Sequence, residues 1–381
     1  MTDRSHTIAL LLSSHDAYAR GIMLGVGKAL RDHPDYQLHV YRAGDKRLHQ
    51  LPAQYFDGMI APIHNCAEYD LLRGLTRHLV DVDNQTPELM IDRVATDRQE
   101  VGRLAGAYFR QRGIPHVGLF FPSWVRNTQP VIEGLASGSG SSPAVFRSAA
   151  ASLAEQQQAI SAWLSTLEMP IGLLTDGDAL AFELINLISP LGQSVPDDIA
   201  VLGIGNNEEW CELSRPSISS IKLDLIHIGQ RATERLVEMI EDGPNATPKQ
   251  DYLKPADIRS RRSTDLIRSA HPDLESALRF IRDHLRSGVT ADAVIRHSKA
   301  SKSTLQRLFK EKLGVSILEE IFRQRLVMAK NILSMTDLTS YEVADYCGYR
   351  DAKNFNLRFK SATGITPLEW RRTRITGSGG G

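Results

Sequence analysis

Two α/β lobes built on doubly wound parallel sheets, followed by an all-α domain with two helix-turn-helix units, is the fold class the sequence predicts. Three observations predict it. Over roughly the first 260 residues short apolar runs alternate with amphipathic helical patterns, the signature of parallel sheets covered by helices on both faces. Beyond that point strand-like runs cease and nearly everything reads helical. Within the helical end, "STLQRLFKEKLG" (303–314) is echoed by "DAKNFNLRFKSATG" (351–364), each an apolar stripe opposite a polar face.

The alternation begins with "TIALLLSS" (7–14), a buried-strand run, then a helical pattern over 17–33. Strand runs follow at "YQLHVY" (36–41), "FDGMIAPI" (56–63) and "RHLVDVD" (77–83). A helix is expected over 98–112, ending at Gly113, before the strand "HVGLFFP" (116–122). The Gly/Ser-rich "ASGSGSSP" (136–143) reads as a flexible loop inside this region, because alternation resumes after it. "IGLLTD" (171–176), a helix to about Ile188 and "IAVLGIG" (199–205) continue the pattern, and "GPNATPKQ" (243–250) reads as turn-rich surface. More than eight strands of this kind suggest two lobes, with ligands expected beyond the carboxyl ends of the strands. The expected boundaries are a sensor over 1–262, a linker over 263–272, a helical domain over 273–375 and a Gly/Ser tail over 376–381.

In the helical domain the ends are written into the sequence. Ser316 with Glu319, Thr339 with Glu342 and Thr366 with Glu369 have capping-box spacing. Gly314 and Gly364 suit the left-handed position that closes a helix. Each quoted helix follows a shorter one (290–298 and 340–347) across a tight turn, a helix-turn-helix occurring twice. The helix between the units spans about 19 residues, roughly 29 Å at 1.5 Å per residue. A B-DNA turn is about 34 Å, so both second helices could enter successive major grooves.

Charge agrees with that reading. The whole chain is balanced at 45 basic and 45 acidic side chains. Residues 273–375 hold 19 basic against 12 acidic ones, which leaves 26 against 33 elsewhere. A basic helical domain beside an acidic partner points to a polyanion. Three widely separated cysteines, Cys66, Cys211 and Cys347, argue against a disulfide framework, and no apolar run has the length of a signal core or a membrane span. A cytoplasmic protein without membrane association is expected.

The residues from 273 to 374 resemble the DNA-binding domain of the AraC family of bacterial transcription activators, through "STLQRLFKEKLGVS" and "VADYCGYRDAKNFNLRFKSATGITPLEWRR". The resemblance implies reading helices at about 302–312 and 351–362. It places Ser303, Thr304, Gln306 and Arg307 of the first, and Ala352, Lys353, Asn354 and Leu357 of the second, toward base edges. Arg307 and Gln306 have the donor and acceptor geometry for guanine and adenine. Lys310, Lys312, Arg358 and Lys360 are expected at phosphates or in solvent. Lys299 stands where the family has a turn glycine, which predicts strain of up to about 1 kcal/mol. Leu357 stands where Arg is common and suits a thymine methyl.

Residues 6–262 resemble the sugar-sensing core of LacI/GalR regulators, itself of periplasmic-binding-protein type. "ATDRQEVGRLAGAYFRQRG", "IGLLTDGDALAFE", "VPDDIAVLGIGNNEEW" and "RPSISSIKLDLIHIGQRATERLVEMI" carry the likeness. It implies a small-molecule effector, sugar-like or another metabolite, between the lobes. His15, Asp16, Asp97, Asp176, Asn206 and Asn207 at strand ends would bind its hydroxyls. Asp16 and Asp97 read equally well as helix caps. Gly205 replaces the Asp of the family's G-x-D loop and Val131 replaces a usual Arg, so two hydroxyl clamps are missing.

Together the resemblances imply promoter DNA, RNA polymerase and a second copy of the chain as partners, with neither cofactor nor catalytic site. The sequence carries no H-E-x-x-H, P-loop, G-x-S-x-G or paired-cysteine zinc spacing. "HNCAE" (64–68) is a lone cluster of metal-capable residues without a distant partner. The competing reading is a small-molecule-binding protein or enzyme whose helical end contacts protein.

Overall fold

The computed structural model describes residues 5–12, 17–148, 152–243, 247–266 and 271–376. It divides into two compact units, Met1–Leu266 and Ile267–Gly381.

The first unit opens with β1 (His6–Leu12), α1 (Ala17–Ala29), β2 (Tyr36–Arg42), β3 (Phe56–Ala61), α2 (Cys66–Leu75), β4 (Thr76–Asp81) and β5 (Asp92–Thr96). The chain then passes through α3 (Arg98–Gln111), β6 (His116–Pro122), α4 (Gln129–Ser139), β7 (Ala144–Ser148), α5 (Leu153–Leu164) and β8 (Ile171–Thr175). It closes with α6 (Asp178–Ile188), β9 (Ile199–Ile204), α7 (Glu208–Leu213), β10 (Ser219–Lys222), α8 (Leu225–Glu241), β11 (Gln250–Leu253) and β12 (Asp257–Arg259).

Two six-stranded sheets result, in the orders β11-β5-β4-β3-β1-β2 and β12-β10-β9-β8-β6-β7. Pairing is parallel throughout except that β12 runs antiparallel to β10. Both faces of each sheet are covered, which is why the strands read as unbroken apolar runs. In β1, Ile8, Leu10 and Leu12 enter one core while Ala9 and Leu11 enter another. In β6, Leu119 and Phe121 face one way and Phe120 the other.

Two sequence expectations change. The Gly/Ser run at 136–143 is no flexible loop, because residues to Ser139 complete α4 and only the remainder turns. The glycines within α4 are there for packing. A Cβ on Gly134 would stand 2.0 Å from the Gln99 carbonyl oxygen, and one on Gly138 2.1 Å from that of Arg103. Only bare backbone lets α3 and α4 approach so closely. The segment 263–266, expected to be linker, belongs to the first unit. Ser263 and Thr264 are buried, and the Ser263 hydroxyl accepts a hydrogen bond from the Ser219 amide at 2.8 Å. The short strands β7, β10, β11 and β12 lack the long apolar runs that mark the others.

The second unit is helical: α9 (Pro272–Asp283), α10 (Ala291–His297), α11 (Lys302–Leu313), α12 (Ile317–Met335), α13 (Ser340–Tyr346), α14 (Ala352–Thr363) and α15 (Pro367–Thr376). It has two small cores. Leu305, Leu308 and Phe309 of α11 pack with α9, α10 and the start of α12, through Ile317 and Ile321. Phe355 and Phe359 of α14 pack with α13 and the end of α12, through Ala329 and Leu333. α12 is therefore the spine shared by both helix-turn-helix units. Capping boxes open α12 and α13, and the same reciprocal bonds join Thr366 and Glu369 ahead of α15.

Candidate functional site

The first lobe presents its polar groups from the ends of β3 and β4, and a buried ion pair fixes them. Arg93 Nε lies 2.7 Å from Asp81 Oδ2, with both side chains fully buried. A pair so desolvated needs further hydrogen bonds, and all but Arg93 Nη1 of its buried polar atoms have them. Asp81 accepts from the amides of Ile63, Asp83 and Asn84, and Arg93 Nη2 donates to the Thr86 carbonyl. The loop carrying His64 and the loop carrying Asp83 are thus tied to one carboxylate. His64 Nδ1 lies 3.1 Å from Glu68 Oε2 and its Nε2 3.4 Å from Asp83 Oδ2. His64 of "HNCAE" thus stands between the carboxylates of Glu68 and Asp83, and among the described residues no group of three or more His, Cys, Asp or Glu is arranged to hold a metal ion.

The second lobe answers from the ends of β8 and β9. Gly177, at φ +134°, turns the chain from β8 into α6 and places Asp176 before the turn and Asp178 after it. Arg98 Nη2 donates to Asp176 Oδ1 at 3.1 Å. After β9, Gly205 (φ +114°) and Asn206 (φ +52°) bend the backbone so that the Asn207 amide reaches Asp178 Oδ2 at 2.6 Å. Asn207 caps α7 by accepting from the Glu209 amide. Tyr18, Trp124, Phe182 and Trp210 supply aromatic surface, with Trp124 67% exposed and the rings of Phe182 and Trp210 5.4 Å apart.

His64, Asp83, Arg98, Asp176, Asp178, Asn207 and the four aromatic rings line a cleft of about 900 Å³ between the lobes, at the carboxyl ends of the strands. Its electrostatics are unusual. Burial, together with the Asp81 carboxylate behind it, pushes the Asp83 carboxyl up to about 6, while Arg98 and His64 pull it the other way. Burial pushes Asp178 up to about 6 as well, against the hydrogen bonds of Ser220 and the Asn207 amide.

Of the sequence-expected ligand residues, Asp176 and Asn207 line the cleft. His15 and Asp16 lie outside the described residues. Asp97 stands outside the lining and caps α3, accepting from the Glu100 amide at 2.9 Å. Asn206 stands outside it too, with its Oδ1 taken by Arg261 Nη1 at 3.0 Å. Sequence reasoning missed His64, Asp83, Arg98 and Asp178. Asp83 ends the quoted strand run "RHLVDVD", and Arg98 directly follows Asp97.

In the helical unit the expected readers sit as their spacing requires. Ser303, Gln306, Arg307 and Lys310 are exposed and Thr304 half-buried on α11, while Leu305, Leu308 and Phe309 are buried. Lys353, Asn354, Leu357 and Arg358 are exposed and Ala352 half-buried on α14, over Phe355 and Phe359. Leu357 is 64% exposed, an apolar side chain no core claims. Arg307 Nη1 pairs with Glu311 at 3.2 Å, an exposed i,i+4 contact. Arg358 folds back on its own domain, its guanidinium 3.5 Å above the Phe322 ring and its Nε donating to Asn354 Oδ1 at 2.9 Å. The strain expected at Lys299 is absent. Among the described residues, non-glycine left-handed backbone occurs at Gln54, Asn84 and Asn206, and the first turn is instead held by Ser298, whose hydroxyl accepts from the Ala300 amide. The second turn does use a glycine, Gly348 at φ +72°, where a Cβ would stand 2.3 Å from the Leu285 carbonyl oxygen. Among the described residues no helix is long and apolar enough to cross a membrane.

Comparison with known proteins agrees domain by domain. Residues 107–264 match the periplasmic binding protein-like domain and residues 295–373 a helix-turn-helix domain. The chain is 25% identical to the xylose operon regulatory protein of Escherichia coli K12, over 97% of this chain and 98% of that protein. The arabinose operon regulatory protein of the same strain is 34% identical over 29% of this chain and 40% of its own length. In solved structures, a xylose-binding transcription activator superposes with a TM-score of 0.79, at 24% identity, over 97% of this chain and 98% of that one. A ribose-bound LacI family regulator from Enterococcus faecium superposes with a TM-score of 0.54, at 23% identity, over 69% of this chain and all of its own. The chain is therefore a transcription regulator that joins a periplasmic binding protein-like sensor domain to an AraC-type helix-turn-helix DNA-binding domain.

Proposed function

We propose that this regulator activates transcription in response to a sugar-like metabolite bound in the cleft between its lobes. The observation that carries the reading is the cleft itself. Polar side chains from both lobes, with aromatic surface beside them, converge in a unit whose fold neighbours include a ribose-bound regulator. Asp176 and Asn207 would take ligand hydroxyls, joined by His64, Asp83 and Arg98, since short carboxylates and amides can satisfy two hydroxyls at once. The readers on α11 and α14 would face base edges, with Lys310 at a phosphate. Promoter DNA is then the nucleic-acid partner, RNA polymerase the protein partner, the cytoplasm the site of action, and the working form a homodimer held through the sensor.

Selection of genomic fragments by the purified chain tests the DNA half, and genes beside the recovered sites narrow the effector. Failure to retain any duplex at low salt would overturn it. For the cleft, Asp176→Ala should abolish thermal stabilisation by the effector, because a ligand stabilises only the state it binds. Unchanged stabilisation would refute the cleft assignment. Sedimentation at micromolar concentration tests the dimer, and a monomer there contradicts it.

A further inference from the structure

The second reading helix carries an arrangement that helical spacing alone does not require. Asn354 and Arg358 are exposed on α14, one turn apart. Arg358 Nε donates to Asn354 Oδ1 at 2.9 Å, and its guanidinium lies 3.5 Å from the centroid of the Phe322 ring on α12. Phe322 is itself held from behind. Its ring stacks on that of Tyr349, with centroids 6.5 Å apart and planes inclined by 22°. Tyr349 in turn meets the fully buried Phe355 edge-on at 5.2 Å. A chain of rings thus runs from the core of the second helix-turn-helix out to the guanidinium. Asn354 is fixed from its other side too, because its backbone amide donates to Asp351 Oδ1 at 2.6 Å in the cap of α14.

The chemistry of that contact decides which end of the amide is left for DNA. A guanidinium has N–H donors and no acceptor, so the carboxamide can face it only with its oxygen. The Nδ2 end, with its two N–H donors, is turned away from Arg358. Base edges differ in what they ask of such a group. Adenine takes both ends of an amide, its N7 accepting and its N6 donating, so a full adenine contact needs the oxygen that Arg358 already engages. Guanine presents two acceptors side by side, N7 and O6, and asks only for donors. We propose that Arg358 is a positioning residue that sets Asn354 to read guanine, and is not a phosphate contact in its own right. The proposal rests on α14 being a reading helix.

The test is binding titration of the full chain on duplexes carrying a site recovered by genomic selection, with each base pair changed in turn to the other three. Asn354→Ala identifies the pair that Asn354 reads, as the one at which preference is lost. There the unmutated chain should prefer G·C in one orientation over A·T in both. Arg358→Met keeps an apolar stem over Phe322 but removes the donor. It should cut that preference about three- to tenfold in favour of A·T and leave the preferences set by α11 unchanged. Arg358→Lys, which can still donate to the oxygen from above the ring, should keep most of the preference. Equal loss in the two variants would mean that the donated bond is not what matters, and overturns the proposal. So does an A·T preference at that pair in the unmutated chain, or a full G·C preference in Arg358→Met. Uniform weakening of all sequences by Arg358→Met, with the salt slope lower by about one, would make Arg358 a phosphate contact and also refute it. If Asn354→Ala alters no base preference while Arg307→Ala does, the reading role of α14 fails, and the proposal fails with it.

Discussion

The cleft and the reading helices carry the same kinds of side chain and use them in opposite ways. In the cleft, charge is desolvated and held in place. Asp81 and Arg93 behind it are fully buried, Asp178 is nearly so, and Asp83 and Asp178 ionise only with difficulty. On α11 and α14, charge is solvated and loosely tied, as in the Arg307–Glu311 pair with side chains 62% and 51% exposed. The difference suits two ligands. A small molecule must recover its binding energy over a few contacts, so groups that are costly to ionise reward the partner that relieves them. A phosphate backbone binds mainly by releasing counterions, which favours exposed, mobile cations over buried ones.

Stability against pH should separate the two regions most strongly. Asp178 has a folded-state pKa of about 6 against a usual 3.8, so the native state holds its proton more tightly than the unfolded chain does. The stability this contributes is complete below about pH 4 and is lost as pH rises through about 6, on the order of 3 kcal/mol in all. Asp178→Asn should abolish that share of the slope in denaturant titrations from pH 4 to 8 and leave the protein more stable at pH 7.5. Equal slopes in the two proteins would mean that Asp178 is not desolvated as its burial implies. On the helices, Arg307→Ala should cost about 1–3 kcal/mol at a selected site, roughly 5- to 150-fold, and relax the preference at one base pair. Lys310→Ala should weaken all sequences alike and lower the salt slope by about one, near fourfold between 50 and 200 mM salt. Similar losses of base preference in both variants would show that a phosphate contact and a base contact have been exchanged. The smallest effect expected is for Glu311→Gln. Freeing Arg307 from an exposed pair worth about 0.3–0.5 kcal/mol should tighten DNA binding about twofold, and weaker binding would make the pair a positioning device.

The second reading helix offers less to break. Arg358 is stacked on Phe322 and bonded to Asn354, which orients the Asn354 amide while withdrawing Arg358 from free search. That brace was not legible in the sequence. Phe322 lies 36 positions before Arg358, and only the folding of α14 against the α12 spine brings the ring beneath the guanidinium. The same holds in the cleft. His64 and Asp83 belong to different strand ends, and they meet because β3 and β4 are parallel neighbours with Ala61 opposite Asp81. Asp97 went the other way. A carboxylate beyond a strand end looks like a ligand group, but it stands at a helix start and spends itself on the Glu100 amide, while Arg98 beside it enters the cleft.

What the sequence determined by itself is local in origin: which runs alternate as buried strands, where Ser316, Thr339 and Thr366 start helices, where Gly314 and Gly364 stop them, and that two similar helices end with their polar faces outward. Each depends on groups within a turn or two along the chain, so composition and spacing suffice. Tertiary structure alone decided which polar groups share a site and in what state of charge. Desolvation and pairing are set by neighbours several turns or strands away along the chain, as Asp178 is by Asn207 and Asp83 is by His64, and no local pattern encodes the distance between them.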